Sequence, residues 1–295
     1  MSARLNAHLA LFIVALIYGA NYLIAKGVMN GGYLTPSAFI WLRVTGATLL
    51  FFLLDGQIRG ATPIEKKDIP RLLLSGLFGV ALNQLLFFMG LERTSPINAS
   101  IIMITTPIIV LITSAVLIQE RVRKIQIIGV LLGASGALFL LLSKGEVHLK
   151  EGTQFGDFLI LLNAISYAIY LVIVKKIMRK YRTLSVIKWI FLIGWVYVSV
   201  VAIPDIIHTS WHIMPGKIVL SISYVILCTT FAAYLLTAWA IRHLSPNVIG
   251  VYIYLQPVFA TFFSYLILGE IIHAPQLISA LVIGIGVYLV GMKST

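Results

Sequence analysis

Long apolar runs, each bounded by charged or turn-forming residues, recur along the whole chain. A helix needs roughly 20 apolar residues to cross a bilayer. Windows of that length single out ten runs: 8–28, 36–54, 70–91, 96–118, 123–143, 155–175, 186–204, 217–240, 246–268 and 273–292. The runs are continuously apolar, whereas a lipid-facing strand alternates apolar and polar residues with period two. Helices are therefore expected and a barrel is not. The first run follows Arg4 but is too long for the core of a secretory signal and lacks a small-x-small cleavage pattern, so it reads as a retained span.

Composition fits this pattern. Of 295 residues, 60% are hydrophobic and only 11% charged, against about 25% charged in soluble domains. The chain has too few polar residues to cover a water-soluble fold, and it reads as an all-α integral membrane protein with the lipid bilayer as its surroundings. The formal charge of +12 resembles a nucleic-acid footprint only until the basic residues are located. With the N-terminus inside, sixteen of the 22 fall in cytoplasmic segments: Arg4; Arg59, Lys66, Lys67, Arg71; Arg121, Arg123, Lys124; Lys175, Lys176, Arg179, Lys180, Arg182, Lys188; Arg242; and Lys293. Five (Lys26, Arg93, Lys144, Lys150 and Lys217) fall outside, and Arg43 lies within a span. The positive-inside rule then places both termini in the cytoplasm, with the chain in the cytoplasmic membrane. No nucleic-acid partner is implied. The cluster from Lys175 to Lys188 reads first as this orientation bias and second as a contact with anionic lipid. The single cysteine, Cys228, excludes an intrachain disulfide and reads as a packing residue.

Two stretches repeat. "TSPINASIIMITTPIIVLITSAVLIQE" (94–120) and "LSPNVIGVYIYLQPVFATFFSYLILGE" (244–270) align at a constant offset of 150 residues. Ser95 falls on Ser245, Pro96 on Pro246, Pro107 on Pro257, Ser114 on Ser264, Glu120 on Glu270, Gln126 on Gln276 and Gly136 on Gly286. Tyr18, Lys26 and Met29 answer Tyr167, Lys175 and Met178 at an offset of 149. The chain is thus two five-span repeats, 1–147 and 148–295. Because five is odd, the second copy is inverted in the membrane, and Glu120 and Glu270 end their spans at opposite faces. Inverted repeats rocking about a midplane site are the architecture of secondary transporters.

A Ser-Pro opening, a mid-span proline, a terminal glutamate, then Gln and a glycine-containing span together resemble the EamA repeat of the drug/metabolite transporter superfamily. Both copies carry the pattern. Two positions depart from it: Gln119-Glu120 stands where Gly-Glu is usual, as in Gly269-Glu270, and Tyr18-Gly19 where Trp-Gly is common. The resemblance implies ten helices, a central cavity lined mainly by spans 1, 3, 4, 6, 8 and 9, and peripheral spans 5 and 10. It also implies export or exchange of small metabolites such as amino acids, with sugar phosphates and nucleotide sugars handled by relatives.

Polar residues inside spans are costly and tend to face the protein interior or water. Span 1 offers Tyr18, Asn21 and Tyr22; span 3, Asn83 and Gln84; span 4, Thr105 and Thr106. Span 6 offers Asn163, Ser166, Tyr167 and Tyr170; span 8, Tyr234 and Thr237; span 9, Tyr252 and Gln256. Amides and phenols can hydrogen-bond a zwitterionic or hydroxylated small molecule, and the rings can stack. The plainer role for each is a bond between helices. Arg43, roughly 10 Å from the outer end of its span at 1.5 Å per residue, needs a carbonyl, a water or an anionic substrate group as partner, so structural and substrate-binding roles both stand. Lys26 either snorkels or guards the cavity mouth. Pro107 and Pro257 each remove a backbone donor and kink a helix, giving a hinge or cavity lining on one reading and a static bend on the other. Tyr33, Trp41, Trp189 and Trp211 read as interfacial anchors.

The acidic residues sit at span ends or in loops, and proton pumps commonly use a carboxylate inside the membrane. A facilitator or exchanger is therefore favoured over a proton antiporter. No catalytic motif such as HExxH or GxSxG appears, His208 and His212 stand in a proline-flanked loop, and neither a metal nor a cofactor is implied. A non-transporting receptor or scaffold is the competing class. The glycines Gly129, Gly133 and Gly136 of span 5 and Gly284, Gly286 and Gly291 of span 10 suit close packing within each repeat, a homodimer contact being the alternative to a monomer.

Overall fold

The computed structural model describes residues 3–30, 33–56, 63–94, 96–143, 154–209 and 214–292. Arg59, Ser95, Lys144, His148, Lys150, Trp211, His212 and Lys293 lie outside them, as do the side chains of Tyr22 and Lys26. The described residues are mostly helical with no strand among them, and ten helices are long and apolar enough to cross a membrane. Their outward faces present bare aliphatic side chains, with Val116, Val200 and Leu220 at least 70% exposed. Such surfaces suit lipid rather than water.

Spans 1 and 2 are single helices, α1 (Ala3–Asn30) and α2 (Pro36–Gly56). Span 3 joins α3 (Ile69–Gly76) to α4 (Leu82–Arg93) through a π-helical stretch, Leu77–Ala81. Span 4 is split into α5 (Pro96–Met103) and α6 (Thr106–Leu117). Spans 5, 6 and 7 are α7 (Lys124–Leu142), α8 (Gln154–Lys180) and α9 (Thr183–His208). Span 8 is α10 (Gly216–Tyr224), a π-helical stretch over Val225–Ala232, and α11 (Ala233–His243). Span 9 is α12 (Pro246–Val251), a 3-10 turn at Tyr252–Tyr254, and α13 (Leu255–Leu268), and span 10 is α14 (Ala274–Gly291).

The duplication is visible in the irregularities as well as in the helices. Shifted by 150, Leu77–Ala81 falls inside the π stretch of span 8, and the break after Met103 falls beside the 3-10 turn of span 9. Each split lies just ahead of a proline. A proline cannot donate to the preceding turn and crowds it, so the chain tightens there. Thr105 N donates to Ile102 O at 2.9 Å in place of an α-helical bond.

The repeats interlock. The first helix, α1, packs on α11 and α13 of the second repeat, while α8 packs on α4 and α6 of the first. Two further pairs cross between the repeats: α2 with α9, and α7 with α14. The second pair corrects the expectation for the glycine strips, which meet across the two repeats rather than packing within each. A Cβ on Gly129 would come within 2.8 Å of Gly286 O, and one on Gly286 within 2.6 Å of Gly129 O. The two strips therefore meet each other at backbone distance, the small-residue packing that apolar helices use where no hydrophobic effect holds them together. Gly284 faces away from this contact, with open space around it. The α2–α9 pair is pinned by Trp41 Nε1 donating to Ser199 Oγ at 3.0 Å and Trp195 Nε1 donating to Thr45 Oγ1 at 2.9 Å. Trp41 thus pairs two helices, a role its position in the sequence did not reveal. Trp189 is exposed and keeps the anchor's setting.

An even number of spans puts both chain ends at one face, called here the terminal face, and Arg4 Nη2 donates to Gly291 O across it at 2.9 Å. Near that face α6 packs against α12, every residue of which is buried. Among the described residues, α5 and α13, the corresponding halves at the opposite face, share no comparable packing.

Candidate functional site

Polar side chains gather where the irregular helices approach one another. The π stretch of span 3 turns carbonyls out of the helical ladder, and neighbouring spans satisfy them: Ser166 Oγ donates to Phe78 O at 2.7 Å and the Tyr234 hydroxyl to Gly79 O at 3.3 Å. The π stretch of span 8 is served from within, where Thr229 and Thr230 both donate to Val225 O at 2.7 and 2.8 Å.

Arg43 is buried and points at this second stretch, its Nε donating to Thr230 Oγ1 at 3.2 Å. The rings of Phe39 and Phe88, packed edge-to-face on each other, both adjoin the guanidinium, each centroid 5.5 Å from Cζ. Among the described residues, no carboxylate comes within salt-bridge distance of it. Cation–π contacts of this kind contribute about 0.5 to 2 kcal/mol each, and most of the guanidinium donors stay free. Tyr18 and Tyr234 lie within electrostatic range of Arg43, and Tyr167 within range of Tyr18. Gln84 approaches the Tyr234 phenol, yet both of its amide atoms are buried without a hydrogen bond of normal geometry. Asn21 Oδ1 is likewise buried and unpaired. In an apolar setting an unmade hydrogen bond costs about 1 to 3 kcal/mol, so these groups call for a ligand or ordered water.

The structure thus brings Tyr18, Arg43, Gln84, Tyr167 and Tyr234 together, with Asn21 half-buried one turn along α1 from Tyr18. Other expected site residues are engaged between helices. Asn163 donates to Asn83 O, joining spans 6 and 3, and Asn83 itself is half-buried. Thr105 donates to Ile102 O at 2.6 Å within the split of span 4. Tyr170 is buried with its ring against Gly79, where any Cβ would stand 2.2 Å away. The hydroxyl of Tyr252 bonds His8 Nδ1 at 2.8 Å, which draws it toward the terminal face. Gln256 is half-buried, Pro107 is buried at the second position of α6, and Pro257 is half-buried at the third position of α13.

Sequence reasoning missed Thr230, whose hydroxyl orients Arg43, and Asn247, which is 1% exposed with both amide atoms unpaired. Their signal was that of any polar residue in an apolar run. Neither belongs to a spaced polar patch, which hid them.

Comparison with known proteins adds the family. The pattern described as the EamA-like transporter family matches twice, over residues 5–142 and 154–292. The uncharacterized transporter YyaM of Bacillus subtilis (strain 168) is 24% identical over 288 residues, spanning 96% of this chain and 93% of its own. An uncharacterized transporter of Archaeoglobus fulgidus is 26% identical over 289 residues, spanning 98% of both. The WAT1-related protein At3g53210 of Arabidopsis thaliana is 23% identical over 326 residues, spanning 98% of this chain and 86% of its own. A solved crystal structure shares the fold with a TM-score of 0.79 at 19% identity, covering 96% of this chain and 95% of that one.

Proposed function

The chain belongs to the EamA-like transporter family, and from that premise we propose that it is an alternating-access secondary transporter that exports or exchanges small metabolites such as amino acids across the cytoplasmic membrane. The terminal face is the cytoplasmic one on this reading, in keeping with its basic residues. The observation that carries the proposal is the unequal packing of the two split spans, α6 held against α12 while α5 and α13 are not so joined. In an inverted repeat, exchanging those two arrangements converts a state open to one side into a state open to the other. The present arrangement is then the outward-facing one.

Tyr18, Asn21, Arg43, Gln84, Tyr167 and Gln256 are assigned to the substrate. Asn83, Thr105, Asn163, Tyr170, Tyr234 and Tyr252 form the frame that holds them, and Tyr22 completes the face of α1 by its position in the sequence. Pro107 and Pro257 serve as the hinges. The unpaired Gln84 amide and Asn21 Oδ1 offer hydrogen bonds that a bound molecule would complete, and a charge compensated only by a hydroxyl and two rings suits a substrate with an anionic group. Facilitated diffusion or exchange is favoured over proton antiport, because the span centres hold no carboxylate.

The test is flux into liposomes against a panel of amino acids, sugar phosphates and cationic drugs, with Asn21, Arg43, Gln84, Tyr167 and Gln256 substituted singly. Saturable flux that each substitution alters is the expected result. Flux untouched by all five would reject the site, and no flux with any compound would favour a receptor.

A further inference from the structure

At the terminal face the loop between spans 4 and 5, the end of α11, the start of α12 and the two ends of the described chain border an open cavity of about 230 Å³. Arg4, Arg121, Arg123 and His243 line it, and Glu120 is the one acidic residue on its wall. Orientation bias accounts for basic loops at this face but not for their gathering round a concavity. Lys66, Lys67, Lys176 and Arg179, on the same face, stand exposed outside the cavity.

Two of these charges are anchored to the end of α14. Arg4 Nη2 donates to Gly291 O at 2.9 Å and Arg123 Nη2 to Met292 O at 2.8 Å. These are successive carbonyls at the end of α14, so a helix-end contact ties down each guanidinium and uses one donor from each. Among the described residues Glu120 forms no salt bridge with any of the arginines, and its Oε2 is buried without a partner. His243 turns Nδ1 to Trp239 O at 2.9 Å, which leaves Nε2 as its free nitrogen. Three guanidiniums against one carboxylate leave the cavity net positive in either state of His243. A guanidinium presents a planar fork of donors that matches two oxygens of a phosphate at once, and phosphate is the oxyanion found both in the headgroups of the adjacent leaflet and free in solution.

We infer that this cavity is a binding site for a phosphate group, separate from the polar centre of the molecule. Its walls include Leu244 and Val248, at the approach to and within α12, and the loop that follows α6. They therefore stand on both sides of the seam that closes the terminal face. A phosphate bound there bridges the seam and stabilises the closed arrangement.

The experiment uses the full-length protein in a non-ionic maltoside detergent and phosphate-free buffer, titrated separately with inorganic phosphate, dihexanoyl phosphatidylglycerol and dihexanoyl phosphatidylcholine. Binding is followed by native mass spectrometry and thermal unfolding. Expected are single-site saturation by the anionic lipid with a rise in Tm, at least a tenfold loss of affinity in Arg121→Gln/Arg123→Gln, and no loss in Lys66→Gln/Lys176→Gln. Saturation by inorganic phosphate as well identifies the phosphate alone as sufficient, whereas saturation by the anionic lipid only identifies the headgroup as the source. Glu120→Gln removes the opposing charge and should tighten binding several-fold, a readout that stands even where the double arginine variant fails to fold. The inference is overturned by no saturable binding of either anion, equal binding of phosphatidylcholine, equal loss in the lysine variant, or Glu120→Gln binding no more tightly.

Discussion

The phenol of Tyr254 donates to the carbonyl oxygen of Ile104 at 3.0 Å, and the two residues stand 150 positions apart, the offset of the duplication itself. The bond ties the turn before Pro257 to the turn before Pro107, so the two split helices touch through equivalent points. The ring reaches Ile104 through the space left by Gly133, where a Cβ would come 2.3 Å from it. Tyr254 is 1% exposed and has little room to retreat. Gly133→Ala should therefore lower stability by about 1 to 3 kcal/mol through overpacking, despite a helix-propensity gain of up to about 1 kcal/mol. Tyr254→Phe, which loses only the hydroxyl, should cost about 1 kcal/mol. Thermal unfolding in detergent ranks the two, and a neutral Gly133→Ala would mean the ring is free to move.

Arg43 provides the sharpest test of the proposed substrate site. Its Nε is fixed by Thr230 and its guanidinium rests against the adjoining rings of Phe39 and Phe88. Arg43→Gln should reduce kcat/KM for flux at least ~10-fold, equivalent to about 1.4 kcal/mol. Arg43→Lys should not restore it, because an ammonium keeps the charge but not the fork. Thr230→Val, which frees the guanidinium without removing it, should raise KM and leave the folded yield unchanged. A purely structural Arg43 would show the opposite: lost yield and unaltered kinetics in whatever protein folds.

The ten spans, the duplication and the inversion were legible because they depend on run length, net apolarity and a proline-glutamate register. Each is a property of single positions or windows. The partners were not legible. The meeting of Gly129 with Gly286 across the repeats depends on how the bundle closes, and no periodicity within span 5 distinguishes that neighbour from one in its own repeat. Tyr170 and Tyr167 belong to one polar patch by spacing, yet the ring of the first fills the space over Gly79 while the second remains half-buried. Asn163 looked like a ligand group, and its amide nitrogen donates to the backbone carbonyl of Asn83 on another helix. Side-chain chemistry alone cannot separate a group that completes a π-stretch or a neighbouring helix from one left open to a substrate.

The α2–α9 pair carries an aspartate near each end, again 150 residues apart. Asp55, 5% exposed, is bound by Lys188 and Ser185, with Arg182 Nη1 at 3.9 Å. Asp205 accepts from Ser37. Removing one member of a buried ion pair leaves the other charge uncompensated, at about 3 kcal/mol, whereas losing one hydroxyl bond costs about 1 kcal/mol. Asp55→Asn should accordingly lower Tm well beyond Asp205→Asn. Equal shifts would mean that Lys188 reaches water when its partner is gone.

If the splits at Pro107 and Pro257 are hinges, restoring the missing donor should slow the exchange of states without changing what the site recognises. Pro107→Ala and Pro257→Ala should lower maximal flux several-fold at unchanged KM, and the double variant should lower it further. Static bends would instead alter stability alone, with flux per folded molecule preserved.

The residue that ends span 4 records an unrelieved cost of the duplication. Gly269 follows α13 in the left-handed region at φ 69°, and Gln119, its equivalent after α6, adopts φ 51°. Glycine enters this region freely, whereas a side chain meets the following carbonyl at about 1 to 2 kcal/mol. The turn retains its shape because Ile118 N and Glu120 N both converge on Ser114 O, at 3.3 and 3.2 Å. Gln119→Gly should therefore raise stability by about 1 kcal/mol, the gain being trimmed by the extra freedom glycine gives the unfolded chain. Gly269→Gln should lower it by a similar amount, so the two changes made together should nearly cancel. Thermal unfolding of the three variants checks the sum, and a destabilised Gln119→Gly would show that the glutamine side chain makes a contact worth more than its backbone strain.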